Sequence, residues 1–312
     1  MEILERFKGG SLSETLLVQD GDRSFVRKLV SISENREYGL VRWHSQIRKM
    51  QLLNYLIPEY CPPVISTGRD DHRYYFDIPY FDLCKNGYEY LVEGGDPSLL
   101  ASGVIDVINQ MKKIEYGNVD NEFEVYAFEE IIRPLKSVLA EGIDIPGVDW
   151  MELAGRIEGL IPQIENMTSD NLSLPVQTLT HGNLTLENIL WDEGEGKMIL
   201  IDPYSETYGE SLIGDLSQVY QSCLSGYDHI NRQVVDPSEP YPVHEIPKVF
   251  SDFTDLMDDY VASEPWIDPK ALLVFRGSQF TRMFPFKVEK APDHAYLFLI
   301  HGITLLEEAM QC

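Results

Sequence analysis

The segment from residue 181 to residue 202 carries three polar side chains at a spacing that suits transfer of a phosphoryl group. This reaction needs a group that orients and deprotonates the attacking hydroxyl, an amide oxygen that holds Mg²⁺, and a carboxylate at a strand end that binds the same metal. Asn188 offers the amide, Asp202 offers the carboxylate, and Asn183 lies where the base belongs, five residues before Asn188. A carboxamide does not accept a proton at pH 7, so we expect transfer to be impaired even if nucleotide binds.

The same segment resembles the catalytic loop of the aminoglycoside phosphotransferase and choline kinase branch of the protein-kinase-like superfamily, which is H-G-D-L-x-x-x-N followed by a strand and I-D. The positions that match are His181, Gly182, Leu184, Asn188, Ile201 and Asp202. Asn183 departs from the pattern, because the family has aspartate there. Downstream, the run 214–216 resembles the family's D-L-A signature, which implies that Asp215 accepts hydrogen bonds from the backbone of the catalytic loop.

The resemblance implies an α+β, protein-kinase-like bilobal fold. Residues 1–80 would form a small N-lobe with an antiparallel sheet and one helix, and residues 81–312 a mostly helical C-lobe with the catalytic loop and the acceptor site. The implied cofactors are ATP and Mg²⁺. The implied reaction is transfer of the γ-phosphoryl group of ATP to a hydroxyl of a small molecule, such as a sugar or a sugar-like metabolite. A fold does not determine its acceptor, so this substrate class follows from the resemblance alone.

Asn183 leaves three interpretations open. An engineered Asp→Asn change would remove the base and keep the shape of the site, and we favour it because the other catalytic positions, except a helix glutamate, are intact. A natural pseudokinase would bind nucleotide for regulation. A kinase-fold transferase would perform a different transfer, such as that of a nucleotidyl group.

The N-terminal residues predict the phosphate-binding part of an N-lobe. Alternating residues and turn residues predict an antiparallel hairpin over residues 3–30. A loop within it has glycines that allow close backbone approach to phosphates and serines that offer donors; these residues are Gly9, Gly10, Ser11 and Ser13. Lys28 lies in the third predicted strand, where the resemblance places the phosphate-binding lysine. The alternative is a lysine that covers a strand edge.

Residues 37–57 have apolar side chains at helical spacing, which predicts a helix with one buried face. Kinases place a glutamate on this helix to hold the strand lysine. Our alignment puts Gln46 at that position, with Glu37 as a second candidate. A glutamine orients an ammonium through its carbonyl oxygen, without full charge pairing.

A second predicted hairpin, residues 64–80, leads into the hinge that the resemblance implies. The backbone of this hinge would contact the purine of ATP near Ile78 and Tyr80. The alternative is an edge strand whose aromatic residues pack within the N-lobe.

From residue 97 onward, apolar residues recur at helical spacing, which predicts a mostly helical region. A basic group in it comprises Arg276, Arg282 and Lys287. These side chains either line the acceptor site, which would favour an anionic acceptor, or pair with surface acids.

Charge and composition limit the partners that we expect. The 312 residues include 51 acidic and 25 basic side chains, a net charge of −26 that repels nucleic acids and anionic membranes. A small-molecule acceptor is the expected partner. The four cysteines lack metal-binding spacing, the N-terminus lacks the bases of a signal peptide, and no apolar run could span a bilayer. These features predict a soluble protein of the cytoplasm.

Overall fold

The computed structural model describes most of the chain, namely residues 1–7, 13–31, 36–69, 72–114, 123–143, 147–167, 172, 179–205, 210–236, 238–239 and 246–312. The chain divides into two compact units. The first comprises Met1–Gly87 and Asn188–Ser205, and the second comprises Tyr88–Glu187 and Glu206–Cys312. The first unit therefore combines the N-terminal region with the segment that contains Asn188 and Asp202.

The first unit is built on a five-stranded antiparallel sheet. Its strands are β1 (Glu2–Phe7), β2 (Ser13–Asp20), β3 (Arg23–Ser31), β4 (Ser66–Arg69) and β5 (Arg73–Pro79), in the spatial order β1-β2-β3-β5-β4. Asp20 pairs with Arg23 across a tight turn in which Gly21 has a φ of 61°. Glycine adopts this left-handed conformation at little steric cost. The predicted hairpin is confirmed.

Helix α1 (Arg36–Leu56) packs on this sheet through one apolar face. Ile47 and Met50 of α1 form a buried cluster with Phe76 and Ile78 of β5. The neighbouring Gln46 is 3% exposed, so its polar amide is removed from water. A buried amide needs hydrogen-bond partners, and the packing of α1 thus directs Gln46 to a polar site within the unit.

A second, smaller sheet completes the first unit. It is antiparallel and consists of β6 (Cys84–Asn86), β7 (Ile189–Asp192) and β8 (Lys197–Leu200), in that order. β7 begins directly after Asn188, and β8 ends two residues before Asp202. The strand expected between Asn188 and Asp202 is therefore a hairpin of two short strands.

The second unit is mostly helical, as predicted. The helices that follow α1 are α2 (Gly87–Val92), α3 (Pro97–Lys112), α4 (Phe123–Ala127), α5 (Arg133–Glu141), α6 (Trp150–Glu165), α7 (Leu212–Ser222), α8 (Tyr227–Ile230), α9 (Lys248–Ser263), α10 (Pro269–Thr281), α11 (Phe284–Lys287) and α12 (Pro292–Gln311). Side chains of Asp96, Asp149 and Asp268 accept hydrogen bonds from first-turn N–H groups of α3, α6 and α10. No helix in the described part of the chain is both long and apolar enough to cross a bilayer.

Every residue of helix α7 except Gly214 is buried, although many of them are polar. Ser211 caps it, because its Oγ accepts a hydrogen bond from the N–H of Ile213. The polar residues exposed by 4% or less are Asp215, Ser217, Gln218, Gln221 and Ser222. Since buried polar groups require hydrogen-bond partners, the polar side chains of α7 must bond to other segments of the second unit.

Candidate active site

Lys28, Gln46 and Asp202 meet in the first unit. Lys28 lies on β3, is 9% exposed, and forms an ion pair with Oδ1 of Asp202. The side-chain N–H of Gln46 donates to the same oxygen and also to the carbonyl oxygen of Pro203, at 3.3 Å. Three residues predicted for phosphate and metal binding, far apart in sequence, thus share one contact.

The contact of Gln46 differs from the expected one. We expected its carbonyl oxygen to orient Lys28, but its N–H group binds Asp202, which is the partner of Lys28. The Gln46 Oε1 atom is buried and has no hydrogen-bond partner among the residues that the structure describes. Because both neighbours of the amide nitrogen are acceptor oxygens, the orientation of the amide is determined by its surroundings. Gln46 therefore positions the carboxylate rather than the ammonium.

The neighbouring base, Arg27, points to a different partner. Its guanidinium binds both carboxylate oxygens of Asp77, at 2.7 and 2.8 Å, and Ser66 donates to the same carboxylate at 2.5 Å. The hydrogen bond with Asp77 raises the pKa of Arg27, against the lowering effect of burial. Of the two adjacent bases, Lys28 is thus the one available to the Asp202 site.

The backbone at Asp202 is strained. Asp202 has a φ of 55°, and it is the one residue other than glycine with a positive φ in the described part of the chain. Such a conformation costs about 1–3 kcal/mol and concentrates at functional sites. It is held by its surroundings, since the Leu200 N–H donates to the Tyr60 carbonyl at 2.7 Å and Ile201 packs against the cluster that contains Ile47.

A backbone hydrogen bond joins Asn188 to the residue that precedes Asp202. The N–H of Ile201, next to Asp202, donates to the carbonyl oxygen of Asn188 at 2.9 Å. Amide and carboxylate oxygens are suitable ligands for Mg²⁺, which proteins commonly hold with one or two carboxylates and substrate phosphates. The described residues contain no cluster of three or more His, Cys, Asp or Glu that could hold a metal alone. The donor set therefore fits Mg²⁺ bound together with phosphates.

Of the other residues predicted to bind nucleotide, the structure describes some and not others. Gly9, Gly10 and Ser11, together with the side chain of Ser13, lie outside the described residues. Ile78 is 9% exposed and packs in the α1 cluster, so only its backbone is left for a purine contact. Tyr80 follows β5, and burial together with Asp82 raises its pKa. The contact of this hinge with purine stays a prediction.

The loop that contains Asn183 is bound to α7 within the second unit. The carboxylate of Asp215 accepts hydrogen bonds from the N–H groups of His181 and Gly182, both at 2.7 Å. This geometry agrees with the structural role that the resemblance implies for Asp215. Gly182 has a φ of 77°, a left-handed conformation that glycine tolerates.

Two further residues of α7, which sequence analysis did not identify, bind the same loop. Gln218 donates to the Gly182 carbonyl oxygen at 3.1 Å and accepts from the Leu184 N–H at 2.6 Å. Ser222 Oγ accepts from the Leu186 N–H at 3.1 Å. The positions 215, 218 and 222 share one helix face, so this polar stripe was a detectable signal.

A small cavity lies beside the loop, within the second unit. Its lining includes Thr180, Gly182, Glu210 and Gln279, and its volume is about 10 Å³. Thr180 Oγ1 donates to Glu210 Oε2 at 3.1 Å. A cavity of this size is close to the minimum for one water molecule, so it is too small for a sugar.

The three basic residues predicted for acceptor binding have separate contacts. The Arg276 guanidinium lies 5.4 Å from the ring centroid of Tyr220, and burial lowers its pKa. Lys287 donates to Asn231 at 2.7 Å and lies over the rings of Tyr227 and Phe298. Arg282 caps the C-terminus of α10 through its backbone. Their role with an acceptor stays a prediction.

Two solved structures are similar to this chain. A Haemophilus somnus 129PT protein, whose assignment as a fructosamine-3-kinase is itself provisional, has a TM-score of 0.56 and 13% identity, covering 98% of this chain and 90% of that one. An aminoglycoside-3′-phosphotransferase of type VIII has a TM-score of 0.51 and 15% identity, covering 88% of this chain and 90% of that one. No family model and no curated protein matches the chain. The likeness shows the fold, which is α+β and protein-kinase-like, with an antiparallel-sheet N-lobe and a mostly helical remainder.

Proposed function

We propose that the chain is an ATP-dependent phosphotransferase whose acceptor is a hydroxyl group of a small molecule. The observation that carries this proposal is the meeting of Lys28, Gln46 and Asp202 in the first unit. A buried ammonium and a carboxylate that an amide orients are groups that could hold phosphates and Mg²⁺ for phosphoryl transfer. The names of the two structures with this fold, a fructosamine-3-kinase and an aminoglycoside-3′-phosphotransferase, support the same reaction class.

In this proposal the first unit binds Mg²⁺ and ATP. Lys28 holds the phosphates, because its buried ammonium needs a negative partner and a phosphate oxygen can replace the Asp202 oxygen. Asn188 and Asp202 hold the metal. When bound, Mg²⁺ would neutralise negative charge on the transferred phosphoryl group. Gln46 keeps the Asp202 carboxylate oriented through its N–H donor.

Asn183 sets the level of activity that we propose. Its side chain can hydrogen-bond an acceptor hydroxyl but cannot take the proton, so this form is base-dead at the position of the family's aspartate. The same observation favours a second candidate function, a pseudokinase that binds nucleotide without transfer. Both candidates share the nucleotide site.

The acceptor that we propose is a sugar or sugar-like metabolite. The net charge of −26 disfavours nucleic acids and anionic membranes as partners. The composition is consistent with a cytoplasmic location. An anionic acceptor would need local bases, and Arg276 and Lys287 are already engaged with aromatic rings. A neutral or cationic acceptor is therefore the better proposal.

Product mass determination tests the reaction class. The Asn183→Asp variant is incubated with ATP, Mg²⁺ and a cytosolic metabolite extract, and the unchanged chain serves as the matched control. We expect a metabolite that gains the mass of one phosphoryl group with the variant and much less with the control. A gain of a nucleotidyl group would replace our proposal with nucleotidyl transfer. Binding of ATP without any product would favour the pseudokinase.

A further inference from the structure

Helix α7 contributes three side chains to the backbone of the catalytic loop. Asp215 accepts from the N–H groups of His181 and Gly182, and Ser222 accepts from Leu186. Gln218 lies between them on the same helix face. The loop thus receives its hydrogen bonds in sequence order from one buried stripe of the helix.

Gln218 contacts both peptide groups that flank residue 183. The Gly182 carbonyl, bound at 3.1 Å by the Gln218 N–H, belongs to the peptide before Asn183. The Leu184 N–H, which donates to Gln218 at 2.6 Å, belongs to the peptide after it. Peptide groups are planar, and a residue has only two soft backbone dihedrals between them. One side chain therefore restrains both backbone dihedrals of Asn183 and, through them, the direction of its Cα–Cβ bond.

The chemistry of the carboxamide makes this contact specific. The side chain at position 218 must donate to a carbonyl and accept from an N–H at the same time, which a glutamine does and a carboxylate does not. Gln218 is 2% exposed, so water does not replace either bond. Loss of the amide would leave two buried backbone groups without partners, and the loop would have to move to recover them.

We propose that Gln218 is a positioning residue for residue 183, the group that faces the acceptor hydroxyl. The inference rests on the proposed function and goes beyond it, because it assigns a residue outside the catalytic motif. In this proposal Gln218 acts through the backbone of the loop and not on the nucleotide or the acceptor. It acts by holding the side chain at position 183 within the narrow geometry that proton transfer requires.

The experiment measures ATP hydrolysis, with water as the acceptor, in the Asn183→Asp background. Gln218→Met is expected to lower kcat by about 10- to 100-fold with an unchanged KM for ATP, since misplacement of the base affects transfer and not binding. Gln221→Met is the matched control. Gln221 lies on the same helix, is 4% exposed, and contacts Met283 instead of the loop. Its replacement should change kcat by less than about twofold.

Gln218→Glu supplies a pH readout that a purely structural role would not produce. Above its pKa, the carboxylate accepts from Leu184 but repels the Gly182 carbonyl oxygen. When protonated, it donates as the amide did, and burial raises the pKa of such an acid. The activity of Gln218→Glu, relative to the Gln218 parent at each pH, should therefore rise as the pH is lowered from about 8 to about 6.

The outcomes separate the two proposals. A Gln218→Met variant with unchanged kcat, or an equal loss in Gln221→Met, overturns the inference about Gln218 alone. A pH-independent ratio for Gln218→Glu also overturns it. If the unchanged chain does not bind ATP with Mg²⁺ in calorimetry, the proposed function fails, and the positioning role of Gln218 fails with it.

Discussion

The residues predicted to be functional lie in two regions of the chain, and each region is stabilised in a different way. In the first unit, Lys28 and Asp202 contact each other through charged side chains, and the Asp202 side chain is 31% exposed. In the second unit, the loop around Asn183 is held by its backbone, through Asp215 and Gln218 at 1% and 2% exposure. The charged groups can exchange partners when a ligand binds, whereas the loop cannot move without losing buried hydrogen bonds.

This contrast indicates that substitutions in the two regions affect different properties of the protein. An ion pair with partial exposure has a small net effect on stability, because solvation competes with the attraction between the charges. A buried backbone group that loses its partner costs about 1–3 kcal/mol. We therefore expect changes at Lys28 and Asp202 to affect ligand binding, and changes at Asp215 to affect stability.

The largest expected effect concerns the base position. Asn183→Asp restores a proton acceptor and should raise the rate of phosphoryl transfer by about 10² to 10⁴, the usual contribution of a general base. Steady-state rates of both forms with one acceptor measure this effect. The affinity for ATP should stay the same, because the residues that we propose bind nucleotide belong to the first unit. Equal rates would contradict a role of residue 183 in proton transfer.

Removal of the buried ammonium of Lys28 should have the next largest effect, a loss of affinity for ATP. Lys28→Met should weaken ATP binding by about 100-fold, since truncation of a hydrogen-bonded buried charge costs about 2–5 kcal/mol. Calorimetry with Mg²⁺ measures it. Arg27→Met is the matched control, because Arg27 binds Asp77 and not the site. If both variants bind ATP equally well, the sheet unit does not hold the phosphates.

A change at Asp215, which holds the loop of the second unit, should lower the stability of the protein. Asp215→Asn keeps the side-chain volume but turns one acceptor oxygen into a donor group, so His181 or Gly182 loses its bond. We expect the free energy of unfolding to fall by about 2–3 kcal/mol. Asp258→Asn, which affects one hydrogen bond from Tyr220, should cost about 1 kcal/mol. Urea denaturation compares them, and equal losses would remove the special role of Asp215.

The last prediction concerns pH, and its expected effect per pH unit is smaller than the effects above. Burial, with a contribution from Arg276, lowers the pKa of His301 to about 3. The folded chain keeps this histidine neutral while the unfolded chain protonates it near pH 6.5, so stability falls as the pH drops from about 6.5 towards 3. His301→Gln should reduce this slope by at most about 1.4 kcal/mol per pH unit. Burial raises the pKa of Asp228 to about 7, but Asp228 is present in both the unchanged protein and the variant, so its contribution cancels from the difference between their slopes. An identical slope would show that His301 is not protected.

Much of the fold was predictable because local patterns agree with it. Alternation and turn residues predicted the β2–β3 hairpin, and apolar spacing predicted α1 and the helical second unit. The Asn188 carbonyl accepts from the N–H of Ile201, next to Asp202, and the shared metal role predicted from the spacing of Asn188 and Asp202 stays a prediction. These features depend on residues close in sequence or on a motif with fixed spacing.

The rest depends on contacts that no local pattern encodes. The positive φ of Asp202 arises because the packing of Ile201 and the backbone bonds around it impose it. The choice of Asp202 rather than Lys28 as the partner of Gln46 depends on how α1 lies on the sheet. The role of Gln218 required the loop and α7 to be seen together, although its polar stripe was visible in the sequence.

Calorimetric titration of the unchanged chain with ATP, with and without Mg²⁺, tests the central claim most directly. The account predicts binding that depends on the metal despite Asn183, is strongly weakened in Asp202→Ala, and is retained in Asp20→Ala. Asp20 carries the same charge in the same unit and lies 3.5 Å from the N-terminal amine. ATP binding that is indifferent to both Mg²⁺ and Asp202, or the absence of binding, would contradict a phosphotransferase site in this chain.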